Sequence, residues 1–137
     1  MAIASILKDK GGTIIAASPS QTVSEVVALL CTHRIGAVIV MEDGEVAGVL
    51  SERDVVRGLN EQGAAILQRT AREIMTTEVI TVAPSESVTA ALSRMTRRRI
   101  RHLPVLDGGQ VRGVVSIGDL VKARIDEAVR EAESLKD

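Results

Sequence analysis

Apolar positions fall into short blocks whose spacing switches between strand-like and helix-like periods, and the switches occur twice in the same order. The first block opens with a small apolar run over 13–17 that meets Ser18-Pro19-Ser20, a turn-forming cluster. Thr22 and Glu25 then make a T-x-x-E capping box, and Val23, Val26, Val27 and Leu30 follow at helical spacing. This predicts an amphipathic helix. Ala37 to Met41 and Glu45 to Leu50 flank Glu42-Asp43-Gly44, an acidic-glycine turn between apolar runs that predicts a β-hairpin. A second helix, from about Glu52 to Gln62, closes the block. The second block repeats the order: a strand over 79–83, Pro84-Ser85, and a helix with Ser87 as N-cap and Val88, Ala91, Leu92 and Met95 inward. A hairpin follows, with His102 to Leu106 and Gln110 to Val115 around Asp107-Gly108-Gly109, and then a helix from Ile117 onward.

A shift of 65 residues superposes the two blocks without a gap. Pro19 falls on Pro84, Ser20 on Ser85, Val23 on Val88, and Arg34-Ile35 on Arg99-Ile100. Val40, Gly44, Val46 and Gly48 fall on Val105, Gly109, Val111 and Gly113, and Ser51, Asp54 and Val56 on Ser116, Asp119 and Val121. The chain is an internal duplication of a β-α-β-β-α unit. The division expected is 1–62 for the first motif, 63–72 as a linker, 73–125 for the second motif and 126–137 as a C-terminal helix extension. One unit of ~50 residues leaves a sheet face bare, so the fold expected is α/β (α+β). Its two motifs would be related by a pseudo-two-fold axis, with small sheets inside and helices outside. Along the last helix, Val121, Ile125, Ala128, Ala132 and Leu135 step by alternating fours and threes. That stripe suits either a partner helix or the protein's own core.

Composition narrows the function classes. Hydrophobic residues make up 45% and charged residues 26%, which excludes a disordered chain, and there is no Phe, Tyr or Trp. A base-stacking platform for single-stranded nucleic acid is therefore absent. The 17 basic and 18 acidic residues give a formal charge of −1, which argues against a dedicated polyanion binder. One cysteine, Cys31, forbids an internal disulfide and fits a reducing compartment. No signal-peptide pattern and no run of ~20 apolar residues occurs, so a soluble cytoplasmic protein is expected.

Catalytic constellations fail on inventory. His33 and His102 stand alone and Cys31 has no second pair, so no metal site is expected. Neither Ser51 nor Ser116 lies in G-x-S-x-G, and neither a P-loop nor G-x-G-x-x-G occurs. What remains is the duplicated strand-to-helix junction, Ser51-Glu52-Arg53-Asp54 and Ser116-Ile117-Gly118-Asp119. S-x-x-D ahead of an amphipathic helix is a capping box. The same arrangement places backbone N–H donors and a hydroxyl at a helix N-terminus, which suits a phosphate. A carboxylate one turn in can accept both hydroxyls of a ribose. Residue types alone leave capping and binding evenly matched. A basic run, Arg94, Arg97, Arg98, Arg99 and Arg101 with His102, reads as a solvated helix end, a phosphate partner or a nucleic-acid patch.

In this duplicated order the residues resemble a tandem pair of cystathionine β-synthase (CBS) domains, of the small stand-alone type. The carrying strings are Ile80-Thr81-Val82-Ala83-Pro84 with Val88, Arg101-His102-Leu103-Pro104-Val105, and Gly113-Val114-Val115-Ser116-Ile117-Gly118-Asp119. Weaker copies are Ala37-Val38-Ile39-Val40 and Gly48-Val49-Leu50-Ser51-Glu52-Arg53-Asp54. The resemblance implies a regulatory sensor, not an enzyme, binding an adenosyl ligand such as AMP, ADP, ATP, NAD or S-adenosylmethionine. It further implies a homodimer acting on an unknown regulated protein; with no run of ~20 apolar residues, no membrane association is expected.

Carried over residue by residue, the family's ribose-and-phosphate motif falls on Ser51 and Asp54, and on Ser116 and Asp119. The resemblance pairs Asp54 with Met75, Thr76 and Ile80, and Asp119 with Lys10, Thr13 and Ile15. Gly36-Ala37 and Arg101-His102 would border both sites. The copies differ: Ala16 stands where the second has Thr81, Gly36 where it has Arg101, and Arg53, placed to meet phosphate, where it has Gly118. The two sites are therefore expected to be unequal. The alternatives are a ligand-free interaction module and nucleic-acid binding through the arginine run.

Overall fold

The computed structural model describes residues 1–11 and 14–135. In chain order the elements are α1 (Ile3–Lys10), β1 (Ala16–Ala17), α2 (Val23–His33), β2 (Ala37–Glu42), β3 (Glu45–Ser51) and α3 (Glu52–Gln62). A 3₁₀ helix (Gly63–Gln68) leads to α4 (Ala71–Ile74), α5 (Val88–Arg98), β4 (His102–Asp107), β5 (Gln110–Ser116) and α6 (Ile117–Ser134). The protein is a mixed α/β chain of small sheets and helices. It divides into two compact units, Ile15–Val79, and Met1–Ile14 together with Ile80–Asp137.

In the unit Ile15–Val79 the sheet order is β1-β2-β3, with β1 parallel to β2 and β2 antiparallel to β3. The hairpin turns at Asp43 (φ 52°) and Gly44 (φ 79°), the left-handed pair a two-residue turn requires. Val40 pairs with Gly48 but Met41 with Val46, leaving Ala47 as a bulge. Thr22 and Glu25 form the expected capping box, and Val23, Val26 and Leu30 are buried on the sheet. Val38, Val40, Leu50 and Val55 complete that core with Ile66 and Ala71.

Ile66 and Ala71 come from the stretch 63–72, which is folded into the unit. Val23 N donates to Arg69 O at 2.8 Å, Ala71 N to Gln21 O at 2.7 Å, and Arg72 N to Pro19 O at 3.1 Å. Thr76 and Val49 exchange backbone hydrogen bonds of 2.9 and 3.0 Å. A close approach makes this docking possible: a Cβ on Gly48 would stand 2.7 Å from Met75 Sδ and 2.8 Å from Thr76 O.

The second unit repeats the scheme with a different leading segment. α1 supplies Ile3 and Ile6 to a core of Val82, Val88, Ala91, Met95, Leu103, Val105, Val115, Leu120 and Ala123. Ile3 N donates to Glu86 O, Ala4 N to Pro84 O and Val88 N to Met1 O. Leu7 lies over Gly113, where a Cβ would approach its Cδ2 to 2.8 Å. β4 and β5 form a hairpin with the same bulge, at Arg112. The strand expected over 79–83 reduces to one parallel bridge, Val82 to Val105. Pro104 stands where the first copy has Ile39 and carries no N–H with which to lengthen the ladder. Of the strand expected over 13–17, only Ala16 and Ala17 pair; Thr13 lies outside the described residues.

The sequence repeat and the compact unit are thus offset. The segment ahead of the second copy folds with the first, and α1, at the start of the chain, folds with the second. Val121, Ile125, Ala128, Ala132 and Leu135 are exposed, so the α6 stripe does not serve this chain's own core. Leu120 and Ala123 do.

Candidate functional site: two Ser-x-x-Asp helix starts

Each hairpin delivers its last strand residue, a serine, to the start of the following helix. Ser51 (φ −111°, ψ 166°) is the N-cap of α3 and Ser116 (φ −100°, ψ 163°) that of α6. The extended backbone of an N-cap lets the hydroxyl turn back onto the third helical N–H. Asp54 N donates to Ser51 Oγ at 3.3 Å, and Asp119 N to Ser116 Oγ at 3.1 Å. The carboxylates reciprocate, with Ser51 N donating to Asp54 Oδ2 at 2.9 Å and Ser116 N to Asp119 Oδ2 at 2.8 Å. Both junctions are complete capping boxes.

The two acids then diverge. Asp54 is 7% exposed and is the buried polar side chain among the described residues. Ser51 Oγ donates to its Oδ2 at 3.1 Å and Thr76 Oγ1 to its Oδ1 at 3.1 Å, and Arg57 Nη1 stands 3.7 Å away. Asp119 is more open and answers a cation. Lys10 Nζ donates to Asp119 Oδ2 at 2.7 Å and to Val114 O at 3.0 Å. Burial pulls the Asp119 carboxyl upward, but the Lys10 ammonium and the Ser116 backbone N–H outweigh it. The net effect holds this acid below the usual carboxylate range.

Several expected residues come together. Thr76 reaches Asp54, and Met75 lies beside it over Gly48. Lys10 reaches Asp119. Gly36 O accepts from Glu52 N at 2.9 Å and Arg101 O from Ile117 N at 2.8 Å, so both flank the helix starts through their carbonyls. Ala37 and His102 pair with Ser51 and Ser116 in the hairpin registers. Arg53 is exposed on the first turn of α3, and Gly118 at the matching place leaves the ground beside Ser116 Oγ open. Ile80 belongs to the unit that contains Asp119, and Ile15 to the unit that contains Asp54. Thr13 lies outside the described residues.

Sequence reasoning missed Arg57, which any carboxylate at the start of a helix makes a candidate through i,i+3 spacing. It also missed a cavity of about 450 Å³ lined by Ile80, Thr81, Arg94, Arg97 and Arg98. Among the described residues no group of three or more His, Cys, Asp or Glu side chains is placed to hold a metal ion. No helix among them is long and apolar enough to cross a membrane. The site offers hydroxyl, carboxylate and helix N–H groups: hydrogen-bonding chemistry suited to a sugar and a phosphate.

Comparison with known proteins agrees with this geometry. The family model of the CBS domain matches residues 12–61 and 71–126. The CBS domain-containing protein CBSX3, mitochondrial, of Arabidopsis thaliana is 36% identical over 97% of this chain and 69% of its own length. The crystal structure of the CBS-domain containing protein ATU1752 from Agrobacterium tumefaciens superposes with a TM-score of 0.88 at 37% identity. That match covers 90% of this chain and 99% of the other. The CBS domain protein PAE2072 from Pyrobaculum aerophilum, complexed with AMP, superposes with a TM-score of 0.77 at 27% identity. Here the coverage is 87% of this chain and 89% of the other. The fold is that of a tandem CBS-domain module. The chain belongs to the CBS-domain family, with two copies of the domain.

Proposed function

We propose that this chain is a non-catalytic regulatory module that binds an adenosyl ligand. The observation that carries the reading is the duplicated helix start, where a serine N-cap and an aspartate stand ready for phosphate and ribose. In each unit the segment that leads into the other copy of the repeat brings a further polar group to the acid: Thr76 to Asp54, Lys10 to Asp119. AMP in the Pyrobaculum aerophilum relative supports the ligand class. ADP, ATP, NAD and S-adenosylmethionine present the same adenosyl chemistry. Ser51, Arg53, Asp54, Met75 and Thr76 would serve one site and Ser116, Gly118, Asp119 and Lys10 the other. Gly36, Ala37, Arg101 and His102 stand at their margins. The module would act in the cytoplasm, as a homodimer, by changing its fit to a regulated protein when ligand binds.

Thermal unfolding tests this. A ligand that binds only the folded state adds RT ln(1 + [L]/Kd), about 2.7 kcal/mol at a hundredfold excess over Kd. AMP or ATP should therefore raise Tm, and Asp54→Ala and Asp119→Ala should each remove part of the rise. No shift with any of the five adenosyl compounds would defeat the reading.

The completeness of both capping boxes favours a second reading, a ligand-free interaction module in which S-x-x-D only caps helices. Asp119→Asn separates the two. An amide oxygen can still accept from Ser116 N, so the cap survives, while the charged acceptor for two ribose hydroxyls is gone. The variant loses the Lys10 ion pair under either reading, so the ligand shift decides: a lost shift supports binding, and a kept one supports capping alone.

A further inference from the structure

α5 carries Arg94, Arg97 and Arg98 at i, i+3 and i+4, a spacing that puts all three on one helix face. Like charges so placed repel, and a fold built for stability alone would separate or neutralise them. Only Arg94 is neutralised. Its Nη2 and Nη1 donate to Glu86 at 3.0 and 3.2 Å, and Nη1 also donates to Thr81 O at 2.7 Å. Arg97 and Arg98 have no ion-pair or hydrogen-bond partner among the described residues, and both line the 450 Å³ cavity with Thr81 and Ile80.

The first copy is an internal control. At the places of Arg94, Arg97, Arg98 and Thr81 it has Leu29, Thr32, His33 and Ala16. There the fold closes by packing the half-buried Leu29 against its core. Three arginines around a cavity are therefore not required by the architecture. Cations in the last turn do favour a helix C-terminus, yet α2 is built at the same place without an arginine in its last turn.

We propose that Arg97 and Arg98, with Thr81, form a binding site for a phosphate group of two or more negative charges. Two guanidinia on one helix face supply the donors, and Arg94, fixed by Glu86 and Thr81 O, lines the same cavity. The shared chemistry is a polyanionic phosphate, carried by the tail of a nucleotide or as free inorganic phosphate or polyphosphate. The site uses neither Asp54 nor Asp119 and does not rest on the adenosyl reading.

Calorimetric titration of the full chain with sodium tripolyphosphate tests it. Wild type should bind, more weakly at high salt because exposed cations are screened. Arg97→Thr with Arg98→His, the residues of the first copy, should weaken binding roughly tenfold or more, as loss of a charge-assisted hydrogen bond predicts. Arg97→Lys with Arg98→Lys should retain much of it, and Asp54→Asn with Asp119→Asn all of it. If the double variant loses its far-ultraviolet circular dichroism, Arg97→Gln and Arg98→Gln singly carry the same expectation. Competition assigns the source: displacement by ATP but not by AMP points to a nucleotide tail, displacement by orthophosphate to a free anion, and both uphold the site. Absence of tripolyphosphate binding, or equal binding by Arg97→Thr/Arg98→His, overturns it. So does a single-stranded or duplex oligonucleotide that binds more tightly than tripolyphosphate and depends on the same arginines, since the face would then be a nucleic-acid contact. Adenosine, which has no phosphate, reports on Asp54 and Asp119 alone, so failure of one reading is visible without failure of the other.

Discussion

Single residues set how closely each leading segment can dock, and the two copies differ enough to predict unequal costs. A methyl at Gly48 meets a backbone oxygen, Thr76 O at 2.8 Å, as well as Met75 Sδ. A methyl at Gly113 meets only the end of Leu7. Gly48→Ala should therefore cost more than Gly113→Ala, about 1–3 kcal/mol in denaturant unfolding, because a side chain can turn aside and a backbone cannot. The C-caps allow the opposite sign. Arg34 holds φ 53° just past α2, a left-handed position that glycine adopts without strain. Arg34→Gly should stabilise the chain by about 0.5–1 kcal/mol.

The Lys10–Asp119 bond makes a prediction in pH. The folded-state pKa of Asp119 lies below its unfolded value, so the pair stabilises the protein above the ordinary aspartate range near ~3.9. That contribution is lost as pH falls through the lower, folded value. The stability gap between wild type and Lys10→Met should be constant at neutral pH and shrink toward zero in acid. A gap that stays unchanged to pH 2 would show that the ammonium contributes only through its stem.

Among the elements, those with a strong period are legible in the residue pattern itself. The capping boxes at Thr22, Ser51 and Ser116, the N-cap Ser87 and both glycine turns rest on chemistry confined to four or five neighbouring residues. Asp54 and Asp119 follow from the same local pattern. The misses have the opposite character. α4 is four residues long and the 3₁₀ stretch six, too short for a period to emerge, so 63–72 reads as a linker. α1 gives no cap signal, since Ala2 provides no side-chain bond, and only its long-range contacts reveal what it does. Ile3 is fully buried in the core of the second copy. Ile3→Ala should cost about 2–5 kcal/mol. Hydrogen exchange should rise first over Ile80–Ser134, while α2 to α4 keep their protection. Loss spread evenly along the chain would mean that the two units do not open separately.

For the molecule as a whole, regulation requires a surface on which the bound state can be read, and α6 offers one. Ile125 is 58% exposed and Leu135 86%, with Val121 and Val129 also open, an apolar stripe that a monomer gains nothing by displaying. Alternate four- and three-residue steps are the spacing of a helix that packs against another helix. The stripe starts within α6, whose N-cap and first-turn acid are Ser116 and Asp119, so the Ser-x-x-Asp start and the exposed face share one helix. Ile125→Glu places a charge in the middle of it. If α6 pairs with its counterpart in a second copy, native mass spectrometry should report a dimer for wild type and a monomer for Ile125→Glu. The variant should keep its circular dichroism, because Ile125 lies outside both buried clusters. AMP should still raise Tm in the monomer, since no residue of either proposed site has been altered. A dimer that survives the charge would move the interface elsewhere and leave the stripe to the regulated protein.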